Sequence, residues 1–171
     1  MIKFNRSTKG FECLSNYYEC PVTIDGVTYK SADAALKAQK RKYLKEGLDW
    51  EKQKVSIMCS ILFVKFEQNR DLLDVLLGTR NELLVYTPQH HNNIWGVCYC
   101  DGCIDKVANN YLGLCLMYVR GMLSGEDTVT IKDFDGNPVD INICSDWNDI
   151  MKFKQWQIAL NDTYKSDSMK S

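Results

Sequence analysis

The chain has 171 residues, enough for one domain with a substantial hydrophobic core. Its 45% apolar and 25% charged residues exclude a disordered or fibrous class. A formal net charge of −1 lacks the positive excess of a general duplex-binding surface, while leaving room for a local phosphate site.

The start of the chain, Met1-Ile2-Lys3-Phe4-Asn5-Arg6, lacks the apolar centre of a signal peptide. The apolar stretches at Ile61–Val64 and Asp71–Leu77 are too short or too interrupted to span a bilayer. The expectation is a cytoplasmic protein whose eight cysteines are reduced thiols rather than a disulfide frame.

The first readable element is a hairpin. Val22-Thr23-Ile24 and Val27-Thr28-Tyr29 flank Asp25-Gly26, a pair whose two residues tolerate the positive φ of a tight turn. Ser31 then reads as a helix N-cap, with the helix running to about Glu46 and Gly47 stopping it. A second helix starts near Asp49 and carries Trp50, Lys54, Val55, Met58, Ile61, Leu62 and Phe66, positions that repeat at threes and fours as one buried stripe. Asn69 is expected to cap a short third helix, Asp71–Leu77, closed by Gly78. Leu83–Tyr86 and Trp95–Tyr99 read as strands or extended segments, and Leu112–Leu123 as a helix. A second hairpin is expected at Thr128–Ile131 and Val139–Ile143, then a helix from about Asp146 to Leu160 and a polar tail, 165–171. The order gives an α+β class: a helix-dominated single domain, 1–164, with small antiparallel hairpins rather than repeating βαβ units. No glycine-rich dinucleotide loop or P-loop is present in the sequence.

Several segments, in order, resemble the NADAR (YbiA-like) family. Leu14-Ser15-Asn16-Tyr17-Tyr18 is similar to an early Leu-Ser-Asn-aromatic element, and Asp25 through Ser31 to the hairpin before a key helix that carries Ala38-Gln39-Lys40. Trp50 through Met58 and Lys65-Phe66-Glu67-Gln68-Asn69 resemble the second helix and its ending. Leu77-Gly78-Thr79, Ile94-Trp95-Gly96, Asn110-Tyr111-Leu112-Gly113 and Leu116 through Arg120 complete the set, so that the likeness covers a core of about 11–123. The segment 126–162 lies beyond it.

The resemblance implies a hydrolase of N-glycosidic bonds to ribose, acting on phosphorylated riboflavin-pathway intermediates or on ADP-ribose attached to guanine in nucleic acid. It implies no metal and no redox cofactor. It places a catalytic acid just after the key-helix N-cap, usually Glu followed by His; here the positions hold Asp33 and Ala34. A family Asp three residues before the Trp-Gly pair is Asn92. Both departures shorten or remove an ionisable group, so a non-catalytic binder of ADP-ribose or a related nucleotide is the alternative expectation.

Cleaving an N-glycoside builds positive charge on the ribose, which a carboxylate stabilises while it orients water. Asp33 suits that role, although an acid at a helix start is also an ordinary dipole-matching residue. Trp95 is a candidate to stack on a base or line the ribose pocket, or is a core indole. Asn16, Asn92 and Asn110 are candidates to meet ribose or phosphate groups, with Asn92 equally part of a polar loop and Asn110 equally a helix cap. Lys40, two turns beyond Asp33, is the candidate phosphate contact, the rest of the run Lys37, Arg41, Lys42 and Lys45 being solvated; Lys54 and Arg120 are weaker candidates. Cys98, Cys100 and Cys103 with His90 and His91 offer enough soft ligands for zinc, but the Cys100-x-x-Cys103 spacing has no second matched pair. They are read as ordinary thiols, with no metal expected.

Overall fold

The Asp25-Gly26 pair turns the chain as its composition demands: both residues have positive φ, 50° and 77°. The resulting strands, β1 at Val22–Ile24 and β2 at Val27–Tyr29, pair antiparallel with Val22 opposite Tyr29 and Ile24 opposite Val27. This computed structural model describes residues 1–125, 128–132 and 137–142.

The first two of the four helices among these residues start on side-chain caps. In α1, Ala32–Lys45, the Ser31 hydroxyl accepts from the Ala34 N–H at 3.1 Å, an N-cap bond worth about 1 kcal/mol. Gly47, at φ 69°, ends it. In α2, Trp50–Gln68, the Asp49 carboxylate accepts from Lys52 N. Met58, Cys59, Leu62 and Phe66 are fully buried, the larger side chains contributing about 2 kcal/mol each. The axis of the fold is α2, which packs against α1, α4 (Tyr111–Ser124), α3 (Arg70–Gly78) and the hairpin.

Asn69 does not cap α3 with its side chain. Its amide donates instead to the carbonyls of Pro21 and Lys65, fastening the end of α2 to the hairpin. The adjacent Gln68 adds a second tie, accepting from Thr23 N and donating to Thr23 O. Arg120 is buried in α4, and its guanidinium donates to Thr79 Oγ1 at 2.7 Å and Glu82 O at 3.0 Å. Burial lowers this group to about 10. It therefore anchors α4 to the turn after α3.

A short parallel pair is the element that sequence periodicity did not provide. The strand Ile2–Phe4 pairs in parallel with β3, Leu84–Tyr86, with Phe4 opposite Tyr86. Three residues are too few for an alternation signal, and their pairing spans most of the core in sequence. The buried Leu84, Val85 and Tyr86 run between this segment and α4. Gly113 permits that approach: a Cβ there would lie 2.2 Å from Leu84 O.

Trp95–Tyr99, expected as a strand or extended segment, contains no strand. Residues 87–110 form one long loop of turns between β3 and α4. Farther on, β4 (Thr128–Lys132) and β5 (Pro138–Asn142) pair antiparallel, as the second hairpin was expected to do. Part of the connecting turn, 133–136, the expected helix 146–160 and the tail 165–171 lie outside the described residues. Among the described residues the architecture is α+β and dominated by helices. No helix among them is long and apolar enough to cross a membrane.

Candidate functional site

The entrance of α1 is where chemistry-bearing residues converge. The Asp33 N–H donates to Asn16 O at 2.9 Å, so a backbone carbonyl from the preceding loop satisfies one of the free donors of the first helical turn. This docks Asn16 beside Asp33. Asn16 is buried, 7% exposed, and its side-chain Oδ1 has no hydrogen-bond donor. A buried acceptor without a partner costs about 1–3 kcal/mol, which a ligand hydroxyl or a water would recover.

The loop that carries Asn16 is held by a buried cation. Lys65 of α2 donates to Cys13 O at 2.5 Å and Ser15 O at 2.9 Å, and its ammonium lies 5.1 Å from the Phe66 ring centroid. Desolvation lowers Lys65 to about 8, with Cys20 and Cys13 opposing the shift. The Lys-Phe-x-Gln-Asn run at the end of α2 is thus a bracket: Lys65 holds the Asn16 loop, and Gln68 and Asn69 hold the hairpin that leads into α1.

The Asp33 carboxylate is largely sheltered, with 20% of its side chain exposed, and pairs with Lys37 at 2.8 Å one turn along the helix. That hydrogen bond and charge raise the Lys37 ammonium above its usual value. Tyr86, the last residue of β3, is buried and raised by desolvation, with Tyr17, Arg6 and Asp33 all close enough to act on it. Arg6 lies over the Tyr17 ring at 5.8 Å and donates to Gln89 Oε1 from Nε and Nη2. Asp33 is therefore flanked by Asn16 and Lys37, and Tyr86 feels the charges of Asp33, Tyr17 and Arg6 together.

The structure assigns the other sequence candidates unequally. Trp95-Gly96 comes next to Tyr86: Val97 N donates to Tyr86 O at 2.8 Å, and a Cβ on Gly96 would be 2.5 Å from that same carbonyl. The Trp95 ring is half-buried and meets Tyr111 edge-on at 6.1 Å. Asn92 supports Trp95 rather than offering its carbonyl outward, because Oδ1 accepts from Ile94 N and Trp95 N. Asn110 is fully buried at φ 48°, with Oδ1 accepting from Tyr86 N and Nδ2 donating to Leu84 O. Both ends of that amide bond to β3, and neither caps α4.

Lys40 is exposed on α1, whereas Lys37, set among the solvated lysines by its spacing, holds the Asp33 carboxylate. Lys54 pairs with Glu51 on α2. Arg6 had no signal in the sequence; Tyr17 lay beside Asn16 in a recognisable segment and Tyr86 ended an expected strand, but neither was marked as a candidate. A shallow groove of about 280 Å³ between α1 and α2, lined by Gln39, Tyr43, Gln53 and Ser60, is a separate feature. Gln39 is about 120° round the helix from Asp33.

Beyond Asn92 the long loop gathers His91, Cys98, Cys100 and Cys103, whose ligand atoms all lie within 4.8 Å of one another. Cys98 is lowered into place by its N–H, which donates to Asn93 Oδ1 at 2.9 Å, and Cys103 N donates to Cys100 O at 2.9 Å.

The family described as NADAR domain matches residues 34–124, from the first turn of α1 to the end of α4. The N-glycosidase YbiA of Escherichia coli (strain K12) is 30% identical over 152 residues, covering 74% of this chain and 90% of that protein. The N-glycosidase YbiA of Shigella boydii serotype 4 (strain Sb227) is 29% identical with the same coverage. Among solved structures, the NMR structure of the E. coli protein YbiA is similar with a TM-score of 0.58 and 26% identity, covering 72% of this chain and 84% of that one. With its ordered motifs, its helical frame and these matches in agreement, the chain belongs to the NADAR domain family.

Proposed function

We propose that this protein is a hydrolase that cleaves an N-glycosidic bond to ribose phosphate or ADP-ribose, with Asp33 as its catalytic carboxylate. The observation that carries the reading is the pairing of Asp33 with Asn16, whose buried Oδ1 lacks a donor, at the N-terminus of α1. Its relatives named N-glycosidase YbiA support the glycosidase class.

As the bond from ribose C1 to the base nitrogen lengthens, positive charge grows on C1 and the ring oxygen. Asp33 stabilises that charge and orients the water that attacks C1, while the bonding pair leaves with the base nitrogen, which takes up the proton that the water gives up. Asn16 Oδ1 accepts from a ribose hydroxyl and fixes the sugar. Lys37 and Arg6 both neighbour Tyr17 and supply positive charge for phosphate oxygens. Two such cations suit a diphosphate, which favours ADP-ribose attached to guanine over a monophosphorylated riboflavin-pathway intermediate. Lys40, about 10 Å along the helix from Asp33, is an outer phosphate contact in this arrangement. Trp95 offers the leaving base an aromatic face, with Asn92 holding its backbone. Asn110 supports β3 through both ends of its amide.

A non-catalytic binder is the second reading, favoured by the Asp33–Lys37 ion pair and by Ala34, which has no proton to exchange. Incubation with ADP-ribosylated guanosine in ¹⁸O-water, followed by mass spectrometry, separates the two. The hydrolase reading expects free ADP-ribose labelled at the C1 hydroxyl of the released ribose. Calorimetric binding of ADP-ribose without any such product would overturn it in favour of the binder.

A further inference from the structure

The loop from 87 to 110 is longer than most connections without regular structure, and such loops are usually functional. Its one concentrated chemistry is the cluster of three thiols and an imidazole. His91 Nδ1 lies 3.1 Å from Cys100 Sγ, 3.3 Å from Cys103 Sγ and 3.9 Å from Cys98 Sγ, while Cys98 and Cys100 sulfurs are 3.4 Å apart. A tetrahedral zinc with bonds of about 2.3 Å to sulfur and about 2.0 Å to nitrogen separates its ligands by about 3.5–3.8 Å. The observed separations bracket that range. Four donors on one point, each from a different position of a single loop, exceed what hydrogen bonding among neutral thiols requires.

We propose that His91, Cys98, Cys100 and Cys103 form a structural zinc site that staples this loop. The ligand set is soft and complete, three sulfurs and one nitrogen, which selects zinc over magnesium or calcium and leaves no open position for catalysis. Binding takes one zinc dication and releases three thiol protons to solvent, so the closed site carries a charge of −1. His91 coordinates through Nδ1 in its neutral form, with the remaining ring proton on Nε2 facing solvent from an exposed side chain. The expectation of ordinary thiols rested on the missing second matched pair and on a resemblance that implies no metal; His91 and Cys98 supply that second pair across the Asn92–Val97 turn. The staple closes on both sides of Trp95-Gly96, the segment that lies against Tyr86. The site is independent of the glycosidase reading, because its test does not measure turnover.

The test is metal analysis of full-length protein expressed with zinc in the medium. The expected result is about one zinc per chain for the wild type and for His90→Ala and Cys115→Ser, which alter neighbouring or buried groups outside the set. His91→Ala and Cys100→Ser should fall below about a tenth of an equivalent. Since a ligand variant can fail by unfolding, the wild type is also stripped with chelator and refilled with cobalt(II), which should develop thiolate-to-metal absorption and be displaced by zinc. Wild-type protein that holds less than about a tenth of an equivalent and gives no cobalt–thiolate band overturns the proposal. A Cys98–Cys100 or Cys100–Cys103 disulfide in the freshly purified protein overturns it as well.

Discussion

At the scale of single residues, the site is built from side chains that are held, and from one that holds the others. Asp33 was legible because an acid two positions after a Ser N-cap is a strong local pattern, and the Ser31 bond to Ala34 N places it where that pattern implies. Lys37 is the only basic residue three or four positions beyond Asp33, the one acid of α1, yet within a run of five bases its spacing alone did not set it apart from the solvated residues. Lys65 is the holding residue, and its burial has a measurable consequence. Its folded value, about 8, lies below the unfolded lysine value. Between the two, the unfolded chain binds more protons, so Lys65 makes stability rise with pH across roughly 8–10 and contributes its full penalty below about 8. Cys13 and Cys20, raised by burial, act in the opposite sense, so the informative quantity is the difference between wild type and Lys65→Met. From pH 7 to 10 the wild type should gain about 2 kcal/mol on the variant in denaturant unfolding. A difference that stays flat would place the Lys65 ammonium in contact with water.

At the scale of elements, helices and the Asp-Gly hairpin were legible because each is specified within a few residues by caps, glycines and periodicity. The parallel contact of Ile2–Phe4 with β3 was not, since it depends on partners some eighty residues apart. Trp95–Tyr99 forms no strand although Val97 and Tyr99 are strand-type residues, because Asn92 and Asn93 turn the chain by accepting from Trp95 N and Cys98 N. The contact between α4 and β3 is equally long-range, and Gly113 is its test. Alanine there brings Cβ to 2.2 Å from Leu84 O, a backbone atom that cannot rotate away. Gly113→Ala should therefore cost about 3 kcal/mol and lower Tm by about 6–12 °C in a heat scan. Gly78→Ala, where the same atom meets open space, is the control. A Gly113→Ala variant that melts with the control would mean that the helix and strand are not closely packed.

At the scale of the whole molecule, α2 acts as a beam from which both halves of the site are hung. Through Lys65 it fixes the loop ending at Asn16; through Gln68 and Asn69 it fixes the hairpin that delivers Ser31 and Asp33; through its packing on α4 it supports β3 and Tyr86. The ordered motifs therefore trace a frame as much as the proposed site, which explains why Asn110 carried a family pattern yet serves β3, while Arg6 carried none and meets Tyr17 and Gln89. The central claim is that this frame exists to present one carboxylate to a ribose carbon. It is tested most directly by kcat for release of ADP-ribose from ADP-ribosylated guanosine, comparing wild type with Asp33→Ala at equal folded content by circular dichroism. The account predicts a loss of at least about a hundredfold. A folded Asp33→Ala protein that turns over within about threefold of wild type would contradict it.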